Sequence, residues 1–397
     1  MSTPTTQPAN DLLTRAGAIE NSGWGRSFTF YQLRNAAFWV YLALVVSGAV
    51  KFFSLLSSSA GAYGEAIALS LVLFGVYGAI FWWFTQHIDR YARQPVKLIV
   101  VAFLWGSFAA TWVMAANAND AILSLYAKTF GQAWASDWGP GLTAPFTEEI
   151  AKGIGLLLLI ALASRLVRTA FDGFILGAFI GLGFQIFEDV LYALNSAASQ
   201  FGADPVGAAM PTIILRMVFG VAAHTLYSAI FGAGLVYLLG RPAEPRRVGR
   251  GLALMATAML LHGLWDSAGA LTQGKNALLF PLFFVMVAAA LTLVVRVFRM
   301  TVPRERQFLS DILAPEVDRG VITDEEFVAL CGDHKARRAF RKSAGGHAAR
   351  KRAEYVLEAA ADLADALADS HGTNTGRVEF ARSEVSRIRS GQPSVKL

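Results

Sequence analysis

At 397 residues the chain has room for two or three average soluble domains, yet 54% of it is hydrophobic and only 16% charged, against about 25% charged in globular proteins. A mean hydropathy of +0.44 excludes a soluble enzyme, a secreted disulfide scaffold and a dedicated nucleic-acid binder. The net charge of +6 implies no nucleic-acid partner, because the tail from Thr301 is close to charge-balanced and the remaining Lys and Arg flank apolar runs, where they face anionic lipid.

Met1 to Glu20 is polar and has no apolar run, so no cleaved leader is expected. A hydrocarbon core of about 30 Å is crossed by about 20 apolar residues in helix. Eight such stretches follow: Ala36–Leu56, Glu65–Phe84, Val96–Ala116, Phe146–Val167, Phe171–Leu194, Pro211–Leu239, Gly251–Leu271 and Ala277–Met300. Lys and Arg are retained on the cytoplasmic side. They gather at Arg15, Arg26 and Arg34, at Arg90 and Arg93, at Arg165 and Arg168, and at Arg241, Arg246, Arg247 and Arg250. Both termini are therefore expected in the cytoplasm, in a multi-pass protein of the plasma membrane. The long third loop, Asn117 to Thr143, is expected to lie on the outer surface as a lid.

The expected fold is all-α: a polytopic membrane helix bundle of about eight transmembrane helices with a small helical cytoplasmic C-terminal tail. It divides into an N-terminal segment 1–35, a bundle 36–300 and a C-terminal region 301–397. In the tail, Val356, Ala360, Leu363 and Leu367 recur at helical spacing and are expected to form a packing face. The cluster Arg337, Arg338, Arg341, Lys342 and Arg350 to Arg352 faces either solvent or anionic lipid. The lone Cys331 allows no intramolecular disulfide and no thiolate metal site.

Ionisable groups in a bilayer cost roughly 2.5 to 3.5 kcal/mol each, so a cluster of them marks function by default. Glu148, Glu149 and Lys152 open the fourth span, Glu188 and Asp189 lie late in the fifth, His224 is inside the sixth, and His262 and Asp266 are in the seventh. With the N-terminus inside, all fall between mid-bilayer and the outer surface. Lys152 is a helical turn from both glutamates. Asp266 is a turn from His262 and can orient the imidazole or join it on a metal. Two histidines and several carboxylates at one depth point to a polar active site. The Gly173, Gly177, Gly181 and Gly232, Gly234 faces are expected to serve close helix packing.

Four ordered motifs then stand out: Glu-Glu-x-x-Lys at Glu148, Glu149 and Lys152; Phe-x-x-x-Glu at Phe184 and Glu188; a lone His224; and His-x-x-x-Asp at His262 and Asp266. In this set the chain resembles the PrsW family of intramembrane proteases, related to the CAAX-processing and bacteriocin-processing membrane proteases. The resemblance covers roughly Ala36 to Met300. It implies hydrolysis of peptide bonds in membrane-anchored protein or peptide substrates, within or beside the lipid bilayer. It further implies catalytic roles for Glu148, Glu149 and Lys152, with one glutamate as general base, and a divalent metal, zinc foremost, on Glu188, His224, His262 and Asp266. The competing function is a proton- or ion-coupled transporter or channel built on the same groups.

Overall fold

The structure is a computed structural model, and it describes residues 7–392. The expectations for Met1 to Glu20 and for the end of the tail therefore fall partly outside the described residues. Among those residues the long regular elements are all helical. The chain forms two units: one comprises Phe28–Arg90 and Gln94–Thr301, the other the described residues of Met1–Ser27, Tyr91–Arg93 and Val302–Leu397.

In the larger unit, helix α1 (Ala36–Ile88) starts on Asn35, whose side chain accepts from the Ala37 N–H. Its backbone leaves helical geometry at Tyr63 (φ −128°, ψ 16°). A straight helix would hold Phe52 and Tyr77 roughly 38 Å apart. Both instead pack on the same turn of helix α4 (Ala170–Ala198): the Phe52 ring lies 4.8 Å from that of Phe187, and Tyr77 Oη accepts from Gln185 Nε2 at 3.0 Å. The helix therefore doubles back at Tyr63.

Helix α2 (Val96–Phe130) is π-wound through Trp105–Ala115. Helix α3 (Gln132–Leu162) follows after Gly131, which takes φ +92°. The expected lid loop Asn117 to Thr143 is thus corrected to two helical segments joined at one glycine. Ala115, Ala116, Ala118 and Ala121 favour continued helix, and Pro140 is carried inside α3.

Helix α4 is buried along most of its length. A capping box between Thr169 and Asp172 opens it. It packs on helix α6 (His224–Leu239), which follows helix α5 (Pro205–Phe219) after a 42° bend. Their closeness needs glycine: a Cβ on Gly177 would stand 2.2 Å from the Ser228 carbonyl oxygen. The small-residue faces at Gly173, Gly177, Gly181 and Gly232 are packing surfaces, as their spacing suggests. Helices α7 (Val248–Asp266) and α8 (Asn276–Asp318) complete the unit, the latter running on beyond Thr301.

Among the described residues, five helices are long and apolar enough to cross a membrane, or six spans if α5 and α6 form one broken span.

In the smaller unit, α9 (Asp324–Cys331), α10 (His334–Ser343), α11 (His347–Asp369) and α12 (Gly376–Ser390) share a core. Val356, Ala360, Leu363 and Leu367 are buried in it with Leu313 and Val385. Part of the basic cluster is taken up internally: Arg337 is buried and pairs with Glu354 at 2.7 Å and Glu358 at 2.6 Å.

Candidate active site

The break between α5 and α6 decides where His224 sits. Unwound backbone in an apolar layer must find partners, and Gln185 of α4 supplies them. Its Nε2 donates to the Gly220 carbonyl at 2.9 Å and its Oε1 accepts from the Thr225 N–H at 3.3 Å and hydroxyl at 3.1 Å. His224 thereby opens α6 facing α3 and α4.

On α3, Glu148, Glu149 and Lys152 are all buried. Lys152 Nζ donates to Glu149 Oε1 at 2.8 Å and to His224 Nδ1 at 3.0 Å, and lies 4.0 Å from the Phe184 ring centre. An ammonium has only donors, so His224 Nδ1 accepts and Nε2 carries the proton. Nε2 accordingly donates to Glu188 Oε2 at 2.9 Å. Ser228 donates to Glu149 Oε2 at 3.2 Å.

His262 is nearly encircled by acid. Its Nδ1 is 3.2 Å from Glu149 Oε1; its Nε2 is 3.3 Å from Asp266 Oδ2 and 3.6 Å from Glu148 Oε2. Glu148 Oε2 is buried and has no hydrogen-bond partner among the described residues. Around it stand His262 Nε2, Lys152 Nζ at 3.6 Å and His224 Nδ1 at 3.7 Å. One ligand atom from each of Glu148, His224 and His262 lies within 4.8 Å of the others.

This donor set fits a divalent ion. Two imidazoles and a carboxylate are a common catalytic zinc set, and Glu148 Oε2 accepts no hydrogen bond among the described residues, the Lys152 ammonium standing off at 3.6 Å. Charge balance points the same way. Among the described residues, Glu148, Glu149, Glu188, Asp189 and Asp266 have Lys152 and Arg216 as their fixed cations.

All seven sequence-predicted residues meet in one cluster, but not in the grouping expected. Glu188 sits behind His224 and Asp266 beside His262, while Glu148 stands between the two histidines. Arg216 joins the cluster from α5, and its signal in the sequence is a cation inside an apolar span. It bonds Glu188 Oε2 at 2.8 Å, pairs with Asp189, and lies 4.2 Å from the Tyr192 ring centre. Asn119, which donates to Glu148 Oε1 at 3.2 Å, was hidden in the segment read as a loop.

Residues 94–294, which contain the whole cluster, match the family described as PrsW family intramembrane metalloprotease. The match covers half of the chain. The chain belongs to the PrsW family. No curated protein and no solved structure matches it. As a PrsW-family member it is an integral membrane peptidase, and its substrates are proteins embedded in the bilayer. That membership decides between protease and transporter in favour of the protease.

Proposed function

We propose that Glu148, His224 and His262 form the hydrolytic centre, in which the two histidines would hold a divalent ion, zinc by donor type, with Glu148 beside it as the base, while Glu149 and Glu188 orient the two histidines. The observation that carries this is Glu148 Oε2, buried without a donor and facing a nitrogen of each histidine. When bound, such an ion lowers the pKa of its water toward 7 and polarises the scissile carbonyl. Glu148 takes the proton of the attacking water and returns it to the leaving amine. Glu188 holds His224 in the tautomer whose Nδ1 faces the centre, and Glu149 faces the far nitrogen of His262. Asp266 keeps the near nitrogen of His262 in an acidic field. Lys152 offsets the charge of the glutamate pair, and it would release His224 Nδ1, to which it now donates, when the ion is held.

The test is cleavage of single-span reporter proteins by bilayer-reconstituted enzyme in ¹⁸O water. Fragments should carry one heavy oxygen at each new carboxyl terminus, and a zinc chelator should stop their formation. A preparation that leaves such reporters intact while conducting protons would overturn the proposal.

Eight crossings fit this site. The fold-back at Tyr63 gives α1 the length for two, and α3 is long enough for one although Glu148, Glu149 and Lys152 raise its charge. With both termini in the cytoplasm of a plasma-membrane protein, the centre lies in the outer half of the bilayer. Cys331 is a poor probe of this orientation, since it is half-buried and burial pushes its thiol up to about 12. Ser343→Cys on a Cys331→Ser background is exposed. It should react with an impermeant maleimide only after cells are opened, and equal labelling of intact cells would reverse the orientation.

A further inference from the structure

Asn119 lies on α2 four residues beyond the π-wound stretch Trp105–Ala115, at the start of the α-helical segment that continues to Phe130. π winding shifts the phase of everything that follows it, and such stretches recur at functional sites. Here the phase turns the half-buried Asn119 toward α3. Its Nδ2 is 3.2 Å from Glu148 Oε1, and its Oδ1 is bonded by the hydroxyl of Thr147, the residue before Glu148.

The orientation of that amide follows from donor arithmetic. An ionised carboxylate only accepts, so the NH₂ group must face Glu148 and the carbonyl must face Thr147. Thr147 also lies 3.2 Å from the Thr143 carbonyl, but its single proton is drawn to Asn119 by this arrangement. Asn119 therefore occupies one Glu148 oxygen and leaves the other to the histidines.

We propose that Asn119 is a positioning residue for Glu148, an inference that rests on Glu148 being the reactive carboxylate. The terminal torsion of a glutamate is broad. A Glu148 freed from Asn119 would turn onto the Lys152 ammonium, now 3.6 Å away, and form a direct ion pair that withdraws Oε2 from the centre. Asn119 prevents that collapse, with Thr147 holding its amide in register.

The experiment uses full-length protein in bilayers and a single-span reporter that the wild type cuts. Asn119→Leu keeps the approximate volume and removes the donor; it should lower kcat roughly 10- to 100-fold, as loss of an outer partner does, with KM unchanged. Thr147→Val should lower kcat in the same direction by less. Asn117→Leu, on the same helix but bonded to Lys51 and the Val113 carbonyl, should cut at the wild-type rate. Asn119→Leu combined with Glu148→Gln should be no slower than Glu148→Gln alone. Wild-type kcat in Asn119→Leu beside an inactive Glu148→Gln would overturn this inference and leave the centre standing. A loss matched by an equal loss of monodisperse protein, or one that adds fully to Glu148→Gln, would also overturn it. Wild-type cleavage by Glu148→Gln would remove the proposed centre, and the role of Asn119 with it.

Discussion

Glu148→Gln is expected to reduce kcat by roughly 10³-fold or more, within the range for removal of a general base, and Glu149→Gln by roughly 10- to 100-fold. The difference comes from what each carboxylate touches. Glu148 Oε2 faces the two imidazoles without a donor of its own, whereas Glu149 is engaged by Lys152 at 2.8 Å and Ser228 at 3.2 Å. Stability should rank the other way. Removing charge from Glu148 relieves an acidic cluster, but removing it from Glu149 strips the buried Lys152 of its nearest partner. Breaking one side of a buried pair leaves an uncompensated charge. Glu149→Gln should therefore lower the thermal midpoint of the purified protein while Glu148→Gln leaves it near the wild type. Rates per folded molecule and midpoints measured together decide this; a Glu149 variant slower than the Glu148 variant would return the base to Glu149.

The cluster was legible because bilayers make charge expensive. Glu148, Glu188, His224 and His262 have no reason to share a depth unless they share a site, and the structure brings them together. Their grouping was not legible. Helical spacing joins His262 to Asp266 and Glu148 to Lys152, but only the crossing of α3, α6 and α7 sets Glu148 between the histidines. Asn119 was lost for a different reason: Asn117, Asn119 and Asp120 look like loop chemistry, and alanine-rich helix overrode them. The π winding that aims Asn119 leaves no pattern in the residues of Trp105–Ala115. The fold-back at Tyr63 agrees with two apolar runs read from the sequence, and Ser57, Ser58, Ser59, Gly61 and Gly64 around it are the breakers that separate them.

Replacing either intramembrane histidine by Ala should abolish both cleavage and bound metal, whereas Glu188→Gln should keep the metal. His224 and His262 each turn one nitrogen toward Glu148 Oε2, so each is expected to be indispensable to an open site that the imidazoles hold. Glu188 bonds the far nitrogen of His224 and the Arg216 guanidinium. Its loss removes an orienting partner, which typically costs 10- to 100-fold in metal affinity or activity rather than all of it. Asp266→Asn should behave likewise, because its carboxylate lies beside His262 Nε2 and at the more exposed edge of the cluster. Metal analysis of purified variants, paired with reporter cleavage, separates two ligand sets. A Glu188→Gln protein devoid of metal would restore the set Glu188, His224, His262 and Asp266 that the motifs imply. Metal retained in Glu188→Gln and absent from Glu148→Gln would place Glu148 in the set. Fully active wild type that holds no metal and ignores chelators would leave Glu148 to activate water alone, with His224 and His262 as hydrogen-bonding partners, and the ion would have no part in the reaction.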